Sequence, residues 1–299
     1  MLHRLPVTLK APVIILLMTI NLAFTGSIIT IMGLFKLVPI SPLQHLWTAV
    51  SHLMYRLFIV VNRTIIQLTS NTTWSISYSQ PLQQQSWNLV LSNHRSWLDI
   101  VVLMQVLGHR LPPPKFFLKH ELIWVPFIGI ASWALDMPFI RRYSHSFLKK
   151  NPHLKGKDIE STRRSCAKFK TTPTTIVNFV EGTRLTTVKR QRQRSPYQHL
   201  LKPKAGGIAF TLAAMGEQFE NIIDVTLNYP GIDDDQPAFK RVLTGQLSAV
   251  QVDINVTPVD EQLIGNYFDD KAFRISFQQR LNERWQAKDE MLSSWQATD

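Results

Sequence analysis

The most informative stretch of the chain is residues 87–107, WNLVLSNHRSWLDIVVLMQVL. Its first part, Trp87–Ser92, is a short apolar run that predicts a buried β-strand, and Trp97–Leu107 has the pattern of a helix. The polar segment Asn93–Ser96 separates the two, so the chain turns from strand to helix within a short loop. Strands followed directly by helices favour an α/β sheet with crossover connections.

The same alternation of apolar strands and helical patterns continues after residue 107. Further strands are predicted at Lys115–Lys119, Leu135–Ile140, Thr174–Val180, Ile222–Tyr229 and Val250–Val256. Helices are predicted at Leu122–Trp133, Ser161–Lys170 and Ala205–Phe219, and apolar residues every four positions from Phe273 to Trp285 indicate a long terminal helix. We therefore expect the α/β class, with a sheet flanked by helices.

The N-terminal region is more apolar than the rest. Ala11–Phe35 contains no charged residue and is long enough to cross a bilayer as a helix. A signal peptide and a buried core helix are the alternatives, and the break at Thr25–Ser27 leaves room for a kinked or re-entrant hairpin. The next segment, Leu46–Leu68, is amphipathic and fits either the membrane interface or a face of the soluble domain.

These patterns divide the chain into two parts. Residues 1–68 are predicted to form a membrane-anchoring helical region, and residues 69–299 a catalytic domain. The stretch Tyr78–Gln85, which contains four Gln, one Ser and one Pro, is the best candidate for a linker between them.

Composition restricts the function classes. With 45% hydrophobic and 18% charged residues among 299, the chain is not of the disordered type. Its one cysteine, Cys166, excludes an intramolecular disulfide and a Cys-rich metal site, and no cluster of His, Cys and carboxylate residues predicts a metal site of another kind.

Positive charge is concentrated in one part of the chain. The whole chain has a formal net charge of +12, and between Arg141 and Lys204 there are 17 Lys or Arg residues against three acidic ones. The main clusters are Lys149–Lys170 and Lys189–Arg194, for which a solvated loop is an alternative. Beside an apolar N-terminal region, anionic lipid headgroups are the favoured partner, and no nucleic-acid partner is expected.

Two short motifs carry candidate chemistry. In the first, His94 and Asp99 follow the predicted strand 87–92. If Ser96 is the N-cap of the next helix, Asp99 occupies the third helical position and faces back over the loop, where its carboxylate could hold the imidazole of His94. The other ring nitrogen would then be free to take a proton. The alternative is a surface histidine beside a helix-capping aspartate.

The second motif is Phe179–Arg184, FVEGTR, at the end of the predicted strand 174–180. It brings a glycine backbone, a hydroxyl and a guanidinium to the carboxyl edge of the sheet, where ligands bind in open α/β folds. An arginine can grip a phosphate with two hydrogen bonds. An ordinary turn with a surface Arg–Glu pair is the alternative.

Together these motifs resemble the PlsC-type glycerolipid acyltransferases, the family of lysophosphatidic acid and lysophospholipid acyltransferases. The resemblance runs from about Trp87 to Pro230. It includes the Asn93-His94-x4-Asp99 block, and the further blocks are Lys119–Gly129 leading to Phe139–Arg142, then Phe179–Arg184, Leu201–Gly207 and Asp224–Thr226. This chain departs from the family pattern at Arg141, where an acidic residue is usual, and at Asp224–Thr226, where a proline is typical.

The resemblance implies a reaction and a set of roles. His94 would act as the general base and Asp99 would orient it, while Arg142, Glu181, Gly182, Thr183 and Arg184 would position the acceptor and its phosphate. The implied reaction moves a fatty acyl chain from acyl-coenzyme A or acyl-carrier protein to the glycerol hydroxyl of a lysophospholipid, first of all 1-acyl-sn-glycerol-3-phosphate. No cofactor is expected beyond the thioester co-substrate.

Other functions remain open on the sequence. The Asp224–Thr226 form is similar to the branch that includes lysocardiolipin acyltransferases, so a lysophosphatidylglycerol or lysocardiolipin acceptor is an alternative. A thioester or lipid hydrolase could use the same His–Asp pair, although no Gly-x-Ser-x-Gly serine elbow is present. A bacterial inner membrane with a cytoplasmic catalytic domain is the expected location, which makes the Asn-x-Thr sites at Asn62, Asn71 and Asn255 chance matches.

Overall fold

The computed structural model describes residues 6–38, 40–140, 166, 169, 172–234 and 237–298. Two long helices come first, α1 (Val7–Phe35) and α2 (Ser41–Thr69), and strand β1 (Thr73–Tyr78) follows. The next elements are β2 (Asn88–Ser92), α3 (Leu98–Leu107), β3 (Pro114–Phe116), β4 (Leu118–Lys119), α4 (Gly129–Ala134) and β5 (Phe139–Ile140). The second half contains β6 (Thr175–Phe179), α5 (Thr187–Arg192), α6 (Ala205–Met215), β7 (Asn221–Asn228), α7 (Ala238–Thr244), β8 (Ala249–Pro258) and α8 (Lys271–Thr298).

Six of the strands form one sheet in the order β1-β8-β7-β2-β6-β3. Strands β7 and β8 pair antiparallel, and the other neighbours pair parallel. Strand β2 lies at the centre, where Val90 is opposite Val177 of β6 and Ile223 of β7. The carboxyl ends of β2, β6 and β7 consequently meet along the same part of the sheet, because β2 is parallel to both neighbours.

Both faces of the sheet are covered, which is why its central strands contain runs of buried apolar residues. On one face, Val90, Val177 and Ile223 pack with Ile14 of α1, Ile59 of α2 and Leu103 of α3. On the other face, Leu89, Ile176 and Ile222 pack with Leu212 of α6 and Trp285 of α8. The predicted mixed α/β sheet flanked by helices is confirmed, and so is the terminal helix with its apolar face.

Helices α1 and α2 pack against each other and against the body of the protein. The side chain of Asn21 donates a hydrogen bond of 3.1 Å to the carbonyl of Phe58 on α2. Helix α1 runs unbroken through residues 25–27, and Gly26 lets it approach the chain closely, since a Cβ there would lie 2.6 Å from the carbonyl oxygen of Phe127. The helix is therefore not interrupted at the break that the sequence suggests.

Apolar side chains also cover the outer surfaces of these two helices, among them Leu16, Phe24, Leu46 and Leu53, each more than half exposed. Helix α1 and residues Pro42–Thr69 of α2 are long and apolar enough to cross a membrane. Because a core helix, or for α1 a signal sequence, meets the same criterion, this is weak support for membrane association.

Several predicted elements differ from the structure. The strand predicted at Lys115–Lys119 is divided into β3 and β4, which belong to separate sheets. Strand β1 begins at Thr73, so Tyr78 lies in the sheet and not in a linker; it is a half-exposed edge strand whose polar residues conceal it in the sequence. The strand predicted at Leu135–Ile140 is only Phe139–Ile140, because α4 runs to Ala134 and Asp136 turns the chain with φ 62°. The helix predicted at Leu122–Trp133 is divided at Pro126 into a 3₁₀ turn and α4.

The helix predicted at Ser161–Lys170 and the basic cluster Lys149–Lys170 lie outside the described residues, apart from Cys166 and Phe169. Arg141 and Arg142 lie outside them as well. The division at residue 68 stays a prediction, although α2 ends at Thr69, next to it.

Candidate active site

The loop after β2 is fixed to the neighbouring strand by Asn93. Its side-chain amide donates to the carbonyl of Leu227 at 2.9 Å, and its side-chain oxygen accepts from the N–H of Leu227 at 2.8 Å. Asn93 is fully buried, so these two bonds replace solvent for all the groups involved. The loop that carries His94 is thereby held at the carboxyl edge of the sheet.

His94 and Asp99 meet as the sequence predicts. Nδ1 of His94 lies 2.7 Å from Oδ2 of Asp99. The same oxygen accepts from the backbone N–H groups of Arg95 at 2.6 Å and Ser96 at 2.9 Å. Helix α3 begins one residue later than expected, so Trp97 and not Ser96 is its N-cap, and Asp99 is the second helical residue and not the third. The Ser96 hydroxyl, in the loop, instead accepts from the N–H of Leu98. The carboxylate of Asp99 therefore holds both the backbone of the loop and the imidazole of His94.

The second oxygen of Asp99 is held by Tyr229, a residue that the sequence analysis does not single out. The Tyr229 hydroxyl donates to Oδ1 of Asp99 at 2.7 Å, and both side chains are buried. Burial raises the pKa of this phenol well above its ordinary value, and the nearby carboxylate raises it further. Tyr229 therefore stays protonated and serves as a donor.

The ring of His94 stacks on Phe179, with centroids 4.0 Å apart and an interplanar angle of 17°. This contact and the bond to Asp99 fix the orientation of the imidazole. Among the described residues none makes a hydrogen bond to Nε2, and the His94 side chain is 15% exposed. As far as the described residues go, Nε2 is therefore open to a ligand.

The carboxyl group of Glu181 also binds the backbone of the loop that carries His94. Its Oε2 accepts from the backbone N–H of His94 at 3.0 Å and its Oε1 from that of Leu201 at 2.9 Å. The residue is fully buried. Burial raises its pKa to about 8, although the two backbone N–H groups act in the opposite direction. The resemblance assigns Glu181 to acceptor binding, whereas in the structure both of its oxygens are engaged by the backbone.

The rest of the Phe179–Arg184 motif lies nearer the surface. Gly182 has φ 67°, a left-handed conformation that favours glycine. The Thr183 hydroxyl accepts from Nζ of Lys189 at 2.9 Å, and the guanidinium of Arg184 lies 4.9 Å from the ring centroid of Trp97. His94, Gly182, Thr183 and Arg184 thus come together at one edge of the sheet, while Arg142 is not among the described residues.

The C-terminal helix α8 binds the backbone of the segment that precedes Leu201. Asp289 of α8 accepts hydrogen bonds from the backbone N–H groups of Gln198 at 2.8 Å and His199 at 2.7 Å. Leu201, which donates to Glu181, follows two residues later. The neighbouring Lys288 is buried and forms an ion pair of 2.6 Å with Asp224 of β7.

A pocket of about 550 Å³ opens beside the His94 loop, and we call it the cationic pocket. Trp97, on the loop, and Phe239, on α7, line it with their exposed rings. Its described charged residues are the cations Arg95, Arg184, Lys189, Arg190 and Lys240 and the carboxylates Asp233 and Asp234.

Within the part of the chain that the structure describes, no three His, Cys, Asp or Glu residues are grouped so that they could hold a metal ion. The groups that the described part of the site brings together are an oriented imidazole, buried carboxyl groups and several cations.

A family model described as Acyltransferase matches residues 75–229, more than half of the chain. The chain belongs to the acyltransferase family. The resemblance derived from the motif blocks is thus confirmed, and so is the prediction of an O-acyltransferase.

Curated relatives match this acyltransferase over a short stretch. The 1-acyl-sn-glycerol-3-phosphate acyltransferase alpha of Mus musculus is 41% identical over 54 residues, and that of Ovis aries is 42% identical over 55 residues. In both cases the match spans 18% of this chain and 18% of the relative.

A solved structure is similar over nearly the whole acyltransferase. The crystal structure of the 1-acyl-sn-glycerophosphate (LPA) acyltransferase PlsC from Thermotoga maritima has a TM-score of 0.55 and 15% sequence identity to this chain. The match covers 96% of this chain and 95% of that one, so both share the fold.

Proposed function

We propose that this acyltransferase moves a fatty acyl chain from a thioester donor to the glycerol hydroxyl of a lysophospholipid. The observation that carries the proposal is the contact between His94 and Asp99, with Nε2 of the same ring available at the carboxyl edge of the sheet. The donor is acyl-coenzyme A or acyl-carrier protein, and the first acceptor that we propose is 1-acyl-sn-glycerol-3-phosphate.

In the proposed mechanism, Nε2 of His94 removes the proton from the acceptor hydroxyl. The hydroxyl oxygen attacks the thioester carbonyl carbon, the carbon–sulfur bond breaks, and the leaving thiolate takes the proton back from His94. Asp99 fixes the tautomer of the ring through Nδ1 and stabilises the imidazolium while it carries the proton. No acyl-enzyme intermediate is needed, because the acceptor oxygen itself is the nucleophile.

The acceptor phosphate would bind at the Gly182–Arg184 turn. Arg184 is exposed and is oriented by its contact with Trp97, and its guanidinium can form two hydrogen bonds to a phosphate. Gly182 and Thr183 contribute an open backbone and a hydroxyl at the same turn, and Arg142 is proposed to join them. Glu181, by contrast, would act by holding the backbone of His94 in place.

We further propose that residues 1–68 attach the enzyme to a membrane, with the catalytic domain on the cytoplasmic side of a bacterial inner membrane. The exposed apolar side chains of α1 and α2 support this proposal. The test is fractionation of the full-length protein. It should remain in the membrane pellet after washes with high salt and at alkaline pH, whereas release by salt alone would indicate attachment through charge only.

The reaction is tested by offering purified protein labelled acyl-coenzyme A and acyl-carrier protein with a panel of lysophospholipids. We expect a labelled diacyl product that depends on the acceptor and is absent with the His94→Ala variant. Transfer to lysophosphatidylglycerol or lysocardiolipin in preference to 1-acyl-sn-glycerol-3-phosphate would correct the acceptor. Release of free fatty acid at the same rate without any acceptor would indicate a hydrolase and contradict the proposal.

A further inference from the structure

The cationic pocket is more positive than a single acceptor phosphate requires. Arg95 donates to the side-chain oxygen of Asn228 at 2.6 Å, and Lys189 donates to the Thr183 hydroxyl and to the carbonyl of Arg184. Arg190 donates to the carbonyl of Gln198. All these hydrogen-bond partners are neutral, although the carboxyl groups of Asp99 and Glu181 act on the guanidinium of Arg95.

Carboxylates offset this charge only in part. Asp233 and Asp234 also line the pocket, and one oxygen of Asp234 accepts from the backbone N–H of Thr187 at 2.7 Å. Among the described residues, Arg95, Arg184, Lys189 and Arg190 form no ion pair with a carboxylate. Several cations held at fixed positions in one concave site favour a ligand with more than one negative charge.

The position of the pocket restricts which part of a substrate it can hold. Its wall includes Arg95 and Leu185, and the N–H of Leu185 donates to the carbonyl of His94 at 2.7 Å. His94 itself does not line the pocket. A ligand in this pocket has its charged end beside the loop that carries His94. Because His94 lies outside the pocket, the reacting group of that ligand must extend beyond the pocket to reach Nε2 of His94.

Acyl-coenzyme A is a molecule whose charged end lies far from its reacting group. A long flexible arm separates its thioester from an adenosine group with several phosphates, whereas the phosphate of a lysophosphatidate lies only a few bonds from the reacting hydroxyl. A volume of about 550 Å³ lies within the ordinary range for a small-molecule site. The exposed rings of Trp97 and Phe239 add surfaces on which a base can pack.

We propose that the cationic pocket binds the phosphorylated adenosine end of an acyl-coenzyme A donor, with Arg190 and Lys240 contacting its phosphates while Arg184 is left to the acceptor phosphate. The inference rests on the proposed acyl transfer, since it names the donor of that reaction. A carrier protein presents its acyl arm from a convex surface without adenosine, and it would leave this pocket empty.

Binding is tested first, without turnover. The probe is adenosine 3′,5′-bisphosphate, added to the full-length His94→Ala protein in a calorimetric titration. We expect saturable binding that weakens as salt is raised, because screening reduces attraction between charges. Absence of binding at low salt would overturn the proposal. This result does not depend on catalysis, so it is separate from any failure of the proposed reaction.

Kinetics then decide which substrate uses the pocket. In an otherwise wild-type enzyme, Lys240→Gln and Arg190→Gln should each raise KM for acyl-coenzyme A about tenfold, as expected for loss of one hydrogen bond to a charged phosphate. KM for the acceptor should not change. Lys240 is exposed on α7, so its variant keeps the test valid if Arg190→Gln disturbs the fold.

The control is Lys271→Gln, which removes an exposed cation that does not line the pocket and should leave both KM values unchanged. Adenosine 3′,5′-bisphosphate should also compete with acyl-coenzyme A and not with the acceptor. A rise in KM for the acceptor alone, or an equal loss with acyl-carrier protein as donor, would assign the pocket to something other than the adenosine phosphates and overturn the proposal.

Discussion

The hydroxyl of Tyr229 donates to Oδ1 of Asp99, while Nδ1 of His94 contacts Oδ2 of the same carboxylate. The carboxylate is thus held on both sides, in a position where no solvent reaches it. A buried acceptor that loses its donor remains unsatisfied, at a cost of about 1–3 kcal/mol. The orientation of the imidazole that we propose as the general base therefore depends on Tyr229, the residue that follows β7.

Tyr229→Phe should lower kcat several-fold and the free energy of unfolding by about 1–3 kcal/mol, because Oδ1 of Asp99 would have no donor. Steady-state kinetics and urea denaturation measure the two effects. The matched control is Tyr197→Phe, which removes a hydroxyl bonded to the carbonyl of Asn282, away from His94. If Tyr229→Phe and Tyr197→Phe changed kcat equally, Tyr229 would have no specific role.

His94→Ala should lower the rate of acyl transfer about a hundred- to ten-thousand-fold, the usual cost of losing a general base. Asp99→Asn should also be severe, since it removes the charge that supports the imidazolium. The double variant should be scarcely worse than His94→Ala, because the two residues act as one unit. His109→Ala, at an exposed position, is the control. Near-normal activity of His94→Ala would contradict the mechanism.

Arg184→Ala should raise KM for the acceptor, because a charge-assisted contact with two hydrogen bonds would be lost. Arg184→Lys should restore only part of the affinity, since an ammonium cannot reproduce the planar fork. Acceptor titrations at saturating donor measure both. Arg192→Ala removes an exposed cation outside the cationic pocket and should have no such effect. Unchanged KM in both Arg184 variants would exclude this residue from the acceptor site.

Glu181 predicts a dependence of stability on pH. Its pKa in the folded protein is about 8, above its ordinary value of 4.5, so between these values the folded protein keeps a proton that the unfolded chain has lost. The contribution of Glu181 to stability is complete below about pH 4.5. It declines as pH rises towards 8, by at most about 1.4 kcal/mol per pH unit.

The measurement is urea denaturation of wild type and Glu181→Gln between pH 5 and about pH 8.5. Glutamine cannot ionise, so the advantage of wild type over the variant should shrink as pH rises. The exposed Glu217→Gln serves as control and should show no such trend. A constant difference between wild type and Glu181→Gln over this range would mean that Glu181 is ionised throughout.

Local features of the sequence predict the centre of this molecule well. The strand–loop–helix unit around His94 depends on one apolar run, one short polar loop and the next helix, all close in the chain. Its predicted pairing of His94 with Asp99 is present in the structure. Five of the six main-sheet strands coincide with or overlap predicted ones for the same reason. Strand β1 was missed because an exposed edge strand needs little apolar patterning.

Local sequence patterns do not predict contacts between residues that are far apart in the chain. Tyr229 lies 130 positions from Asp99, and only the pairing of β2 with β7 brings them together. Glu181 lies in a motif that the resemblance assigns to acceptor binding, yet it is buried. Its two oxygens accept hydrogen bonds from the backbone of Leu201 and of His94, which are distant from it in the sequence. The rule that ligands bind at the carboxyl ends of strands could have pointed to Tyr229 after β7, as it did to Gly182 and Arg184 after β6.

The role of α8 has a consequence for how the enzyme becomes active during synthesis. A ribosome releases the motif residues His94, Asp99 and Arg184 long before it releases Asp289. Until then the backbone N–H groups of Gln198 and His199 lack their acceptor, and β7 lacks the ammonium of Lys288. The nascent chain therefore contains the proposed site residues before the contacts of α8 that hold the neighbouring backbone can form. We expect the proposed site to be completed only after α8 has been translated.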